Sequence, residues 1–503
     1  MKSHKTNALY ALFSDIGGQI FLISLSFISV PIFVKQLSNQ DYGIWIIATN
    51  IISWLTLSDF GLSLSITRSF IKIFNDQKNT NSIRNDLIKT AFVISLFIGI
   101  CLIILGIVFY NLFSIYSKIN VENLHKLSVL LFIIIPSLFI AVVTSIFTGV
   151  LEAYQKLTLN RNISTICNVI NSLFAILFVI IFKNVSAMAF SLLLTNCIKF
   201  LVTYKFVTKL LVIKIRQSNF SNTLARDLLS FGGYFQLAKL ADTMATNTDN
   251  FFISRYSSIN FIQPYSITSK IYSLFSITLI SKIPGSIFPG IYEAYTQGKI
   301  EQIRVVLNNL FNLLLRISIL AASLIYFFNE SFIKLWVGAQ NYAGDHVNIL
   351  IVLFTIYETI FRGMAFIIYI QDNMKNYSLV CFLEFLTNLI LSVILGYKYG
   401  IIGIVAATGV SRFLTTGMYL FFVLYKMRVM NIFTSIKILF LSIPTIIFLF
   451  IIKKLIVVNS FFDLFYIILF AILLHLLFFD LKRIILLKDK SIKNVLYSLI
   501  YSN

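Results

Sequence analysis

The length of the apolar runs constrains this chain more than any other feature. From residue 9 onward, stretches of mostly apolar residues follow one another with only short polar gaps. A helix that crosses a bilayer needs about 20 such residues. Runs long enough occur at roughly 9–33, 43–71, 88–114, 127–151, 160–182, 186–208, 228–254, 264–291, 305–328, 347–370, 376–397, 400–425, 433–452 and 461–481. The strands of a membrane barrel would alternate in polarity instead. Only 12% of the 503 residues are charged, against about 25% in a soluble domain. The chain reads as an all-α polytopic membrane protein of about 14 transmembrane helices.

The formal charge of +21 does not point to nucleic acid, because the basic residues are spread through short loops rather than gathered in one domain. Cys101, Cys167, Cys197 and Cys381 fall inside apolar runs without CxxC spacing, and the four histidines lie far apart. Neither a disulfide frame nor a metal site is expected, and no cofactor. No cleavable signal peptide is expected, since the first apolar run is of span length and lacks a clear small-residue cleavage site.

Basic residues in loops set orientation. With the N-terminus inside, 24 loop Lys and Arg fall on the cytoplasmic side and 9 on the other. Both termini are therefore expected in the cytoplasm. The longest outer loop, about Asn329–His346, is too short for an extramembrane domain.

An internal repeat is visible. Span 1 opens with Phe13-Ser-Asp-Ile-Gly-Gly18, and span 7 with Leu229-Ser-Phe-Gly-Gly233. Each leads to a Tyr-containing junction, Asp41-Tyr42-Gly43 and Gln263-Pro264-Tyr265. An offset of six spans keeps both copies in the same orientation, giving parallel six-helix lobes; the alternative is that Gly-Gly pairs only permit close helix packing. The basic linker Lys205–Arg226 lies between the two sets. The expected division is 1–210 and 211–428 as the lobes, and 429–503 as two additional helices with a basic tail.

Fourteen charges remain inside spans: Arg68, Lys199, Lys239, Lys270, Lys282, Arg316, Arg362 and Arg412 against Asp15, Asp59, Asp242, Asp249, Glu358 and Glu384. Each costs at least about 2.5–3.5 kcal/mol at mid-bilayer, so each should face a partner or a water-filled cavity. Such a set implies a polar interior and hydrophilic cargo. Glu358 and Arg362 have i, i+4 spacing with the acid first, the favoured order for a pair on one helix. Lys239 and Asp242 share a face of span 7 with Asp249 and either line a cavity or form salt bridges. Lys270, Lys282, Arg316 and Arg412 have no acid three or four residues away, which makes them ligand candidates for an anionic headgroup such as a diphosphate. Asp15, Asp59, Asp249 and Glu384 are alternatively proton or sodium sites. Pro136, Pro284, Pro289 and Pro444 permit kinks within spans.

Several segments resemble a known family. Asp41-Tyr-Gly-Ile-Trp45 with Leu57-Ser-Asp-Phe-Gly61-Leu resembles a signature of Wzx-type polysaccharide (O-antigen) flippases, members of the multidrug/oligosaccharidyl-lipid/polysaccharide exporter superfamily. Phe147-Thr-Gly-Val-Leu-Glu-Ala-Tyr-Gln-Lys156, Thr248-Asp249-Asn250-Phe-Phe-Ile253, Ile287-Phe-Pro-Gly-Ile-Tyr-Glu293 and Leu335-Trp-Val-Gly338 are similar to later motifs of that family, in order, across most of residues 10–415. The resemblance implies two six-helix lobes around a central cavity, plus two C-terminal helices. It also implies transfer of polyprenyl-diphosphate-linked oligosaccharide from the cytoplasmic to the periplasmic leaflet of a bacterial inner membrane by alternating access, with cationic residues meeting the diphosphate. The lipid II flippases of the superfamily concentrate arginine in the first two spans; here span 1 has Asp15 and no cation, which argues against a peptidoglycan precursor.

Expected partners are the lipid-linked oligosaccharide, the bilayer and other polysaccharide-assembly membrane proteins. Two competing readings are a cation-coupled drug or metabolite exporter of the same superfamily, whose cavity carboxylates would dominate, and a membrane polysaccharide polymerase or ligase. The latter needs a sizeable outer loop bearing catalytic groups, so an enzyme is not expected.

Overall fold

In the computed structural model of the chain, the described residues are 2–56, 62–75, 81–116, 120–154, 156–210, 218–230, 233–280, 291, 295, 297–370, 374–429 and 432–486. They are helical apart from short connecting turns and contain no strand. In chain order the helices are α1 (Lys2–Gln36), α2 (Asn39–Thr56), α3 (Leu62–Asn75), α4 (Asn81–Tyr116), α5 (Val121–Ala153), α6 (Leu157–Phe182) and α7 (Ser186–Thr208). Then follow α8 (Asn222–Ser230), α9 (Gly233–Asn247), α10 (Asp249–Tyr256), α11 (Ile262–Thr268) and the short α12 (Lys270–Tyr272), which runs on into a π-helical turn, Ser273–Leu279. Last come α13 (Ile300–Val337), α14 (Asp345–Met364), α15 (Phe366–Ile370), α16 (Met374–Arg412), a second π turn at Phe413–Gly417, α17 (Met418–Lys426), α18 (Ile432–Leu455) and α19 (Phe461–Leu486).

Nine helical stretches among the described residues are long and apolar enough to cross a membrane. The longest, Lys375–Lys426, covers two of the spans expected from sequence. Its helical path is interrupted at Gly400, where φ is +57° and ψ −135°. Side chains with a Cβ rarely adopt such a backbone, so glycine fixes this corner. The expected span 43–71 is carried by two helices, α2 and α3, and span 228–254 by parts of α8, α9 and α10.

The chain divides into two compact units, Met1–Gln263 and Pro264–Asn503. In the first, α5 is central and packs against α7, α3, α4 and α2. Leu127, Leu130, Ile134, Leu138, Val142, Ile146 and Val150 recur every three or four residues along it, and all are buried. That spacing puts them on one stripe, while Phe132 on the opposite side is 82% exposed. Polar groups join the same helices. Asn196 donates to Ser137 Oγ at 2.8 Å, and Thr67 Oγ1 donates to the Gly149 carbonyl at 3.0 Å.

In the second unit α13 packs against α14, α18 and α19. Phe327, Phe328, Leu449, Leu464, Ile467 and Ala471 form one core cluster; Tyr272, Ile325, Val347, Ile351 and Val405 form another. A buried amide clamp ties α13 to α14 and α11. Asn329 Nδ2 donates to Asn348 Oδ1 at 2.8 Å and to the Thr268 carbonyl at 3.0 Å. Away from these contacts, apolar side chains such as Phe440, Phe465 and Tyr466 stand exposed. Apolar exposure on this scale belongs in lipid.

Candidate functional site: charged side chains within the helices

The second unit holds the densest group of buried charges. Glu358 and Arg362 lie one turn apart on α14, and Arg362 Nε donates to Glu358 Oε2 at 2.8 Å. Arg412, at the end of α16, donates through Nε to Glu384 Oε1 at 2.9 Å and through Nη1 to Glu358 Oε1. Thr416 Oγ1, within the π turn, donates to Glu384 Oε2. The Tyr357 hydroxyl donates to the Arg412 carbonyl at 3.3 Å. Glu358, Glu384 and Arg412 are each less than 5% exposed. The two carboxylates meet two guanidiniums, so formal charge cancels. Such burial is tolerated only when the geometry satisfies the lone pairs and protons, because each bare ion carries a desolvation penalty of several kcal/mol.

This arrangement corrects the reading of Arg412 as a cation without a carboxylate. Its partners come from residues 54 and 28 positions earlier in the chain, beyond the reach of any spacing rule on one helix. Glu384, a candidate ion-coupling acid, is engaged by Arg412 and Thr416.

The other candidates are placed differently. Lys270 opens α12; it is half-buried, and its ammonium makes no ion pair with a described residue. Arg316, on α13, lines a cavity of about 640 Å³ whose other walls are almost wholly apolar, among them Leu320, Phe328, Leu464 and Phe465. Its guanidinium carbon sits 4.8 Å from the centroid of the Phe479 ring, within cation–π range. His475 and Asn329 reach the same cavity. In the first unit, Lys239 is exposed on α9, Asp242 is half-buried, and Asp249 is buried at the start of α10. Lys282 and Asp59 lie outside the described residues, as does the side chain of Asp15.

Sequence reasoning missed Tyr357, Thr416, His475 and Asn329. A signal existed for Thr416: Thr408, Ser411, Arg412, Thr415 and Thr416 crowd polar groups into an otherwise apolar run. Asp41, in the Tyr-Gly-containing motif, pairs with Lys126 at 2.9 Å, and Gly43 approaches the Ile259 carbonyl so closely that an added Cβ would lie 3.0 Å from it. Those motif residues thus join α2 to α5 and to the turn after α10.

Residues 11–295, more than half of the chain, match the family described as "Polysaccharide biosynthesis protein". The chain belongs to that family. A Shigella flexneri protein assigned as an O-antigen transporter is 25% identical over 413 residues, covering 79% of this chain and 92% of its own length. Among solved structures, the lipid II flippase MurJ in an inward closed conformation superimposes with a TM-score of 0.73 at 18% identity, covering 95% of this chain and all of that one. An inward-facing multidrug resistance transporter of the MATE family superimposes with a TM-score of 0.60 at 15% identity, over 81% of this chain and 95% of its own. The fold is therefore that of these two transporters. Family and fold make this polysaccharide biosynthesis protein a multi-pass membrane protein with a transporter fold, not an enzyme.

Proposed function

We propose that the protein flips a polyprenyl-diphosphate-linked oligosaccharide, the repeat unit of an O-antigen or other surface polysaccharide, from the cytoplasmic to the periplasmic leaflet of a bacterial inner membrane by alternating access. The observation that carries this reading is the charge left over in the second unit. Glu358 and Glu384 are matched by Arg362 and Arg412, whereas Lys270 remains a half-buried cation with no carboxylate among the described residues. A lone cation inside a membrane protein calls for an anion, and a diphosphate supplies one.

Arg316 adds to this. A guanidinium in the wall of an apolar cavity offers a cation beside an oily surface, which is the pairing a phosphate on a polyprenyl chain requires. Lys239 and Lys282 are assigned as further cations for the headgroup, and Arg412 is assigned a structural role on Glu358 and Glu384. The residue segments 1–210 and 211–428 act as the two lobes that alternate, with 429–503 as the additional pair of helices. The excess of basic residues in alternate loops supports a cytoplasmic position for both termini.

Deletion of the gene tests the reading. A cytoplasm-facing polyprenyl-diphosphate oligosaccharide should accumulate, and its glycan should match one repeat unit of the surface polymer. Accumulation of an unpolymerised repeat already in the outer leaflet would instead mark a polymerase and overturn the reading.

A further inference from the structure

Two π-helical turns lie in the second unit, and both pack against α14 beside the buried charges. In one, Ser273–Leu279, the Ile280 N–H donates to the Phe275 carbonyl, and Ser276 Oγ lies 3.0 Å from Thr359 Oγ1 with both residues fully buried. In the other, Phe413–Gly417, the Met418 N–H reaches back to the Phe413 carbonyl, and a Cβ added at Gly417 would lie 2.8 Å from the Tyr357 hydroxyl. Tyr357 and Thr359 are two residues apart, which is about 200° around a helix. The two turns therefore grip α14 from opposite sides at one height, with Glu358 between them.

A π turn holds one residue more than an α turn, and such turns occur mostly as single bulges inside α-helices, frequently at functional sites. In the second turn, hydroxyls take the carbonyls at its start: Thr415 Oγ1 donates to Ser411 O at 2.7 Å, and the Tyr357 hydroxyl donates to Arg412 O. Two residues of the turn face outward, with Phe413 62% and Leu414 55% exposed, while Arg412 and Thr416 stay buried on Glu384. The extra residue is thus absorbed on the lipid-facing side while the charged side keeps its contacts. A turn supported by side-chain hydroxyls has a second hydrogen-bonded form close at hand, because each hydroxyl can return its carbonyl to the helix.

We propose that the π turn Phe413–Gly417, with Ser273–Leu279 as its counterpart across α14, is a hinge of the transport cycle, and that the Glu358–Arg412–Glu384 ion pairs are the latch that holds it. Conversion to an α turn rotates α17 relative to the helix before it, and the latch sets which form prevails.

Deleting Leu414 tests the hinge. The deletion removes the surplus residue and yields a continuous α-helix with the faces on either side still in register. Membrane abundance and melting temperature should match the parent or rise, while export of surface polysaccharide should fall about tenfold or more. Export equal to that of the parent would overturn the proposal, as would a chain absent from the membrane, which would make the turn a folding element. A second variant works within a single folded sample. Ser276→Cys combined with Thr359→Cys should lose export when oxidised and regain it on reduction, with the parent and each single substitution unaffected. A cross-linked protein that exports normally would overturn the proposal. Because export as a readout rests on the flippase reading, the unaltered chain is assayed alongside: its failure to export would strike that reading, whereas only the ratio of variant to parent bears on the hinge.

Discussion

Arg412 Nε lies 2.9 Å from a Glu384 carboxylate oxygen, and both side chains are almost wholly withdrawn from solvent and lipid. The pair joins the two helical stretches on either side of the corner at Gly400, and Glu358 extends the join to α14. The consequence is a stability prediction opposite to the one the sequence supports. Arg412→Gln leaves two buried carboxylates without the guanidinium that pairs with both. Breaking a buried pair from one side costs about 3–5 kcal/mol, so the variant should be scarce in membranes and melt early in detergent. Arg412→Gln with Glu384→Gln restores charge balance and should recover most of the loss. A double variant no better than the single would show that packing, not charge, holds the join.

Lys270 should behave in the opposite way. It has no described carboxylate to strand, so Lys270→Ala should leave protein level and melting temperature near those of the parent. Loss of a charged hydrogen bond to phosphate, worth about 1.5–3 kcal/mol, should lower export about ten- to a hundredfold, and Lys270→Arg should keep part of it. Protein level and surface polysaccharide measured side by side separate the two effects. Export lost only in step with protein would assign Lys270 to structure.

Gly400 makes a backbone prediction. Alanine there must enter a region that costs of order 1–3 kcal/mol, and thermal melting should report a loss of that size. Gly17 has nothing within 4 Å of an added Cβ, so Gly17→Ala should be neutral or slightly stabilising.

Topology follows from the basic loops. Reporter fusions at Asn85, after Gln217 and at the C-terminus should read cytoplasmic, and fusions near Asn120 and Gln340 periplasmic. Termini on opposite sides of the membrane would contradict the orientation.

The parts of this fold that are legible in sequence are those set by local properties. Apolar run length locates the helices, because crossing a bilayer is a demand each segment meets alone. The break near Gly400 is visible because Tyr397-Lys398-Tyr399-Gly400 interrupts an apolar stretch. The Glu358–Arg362 pair is visible because one helix carries both residues. Arg412 is misread for the converse reason: Glu358 arrives from α14 and Glu384 from beyond the corner at Gly400, and a one-dimensional spacing rule has no access to either. The π turns are equally hidden, since an extra residue absorbed by a bulge leaves the hydrophobic pattern on either side intact.

The central claim is movement of a lipid-linked oligosaccharide across a bilayer, and reconstitution tests it most directly. Purified protein in vesicles should carry a fluorescent polyprenyl-diphosphate oligosaccharide between leaflets, as measured by its accessibility to a membrane-impermeant quencher. The rate should depend on protein and drop about ten- to a hundredfold with Lys270→Ala, while a labelled neutral lipid stays in place. No protein-dependent transfer of the diphosphate lipid, or equal transfer with Lys270→Ala, would contradict the account.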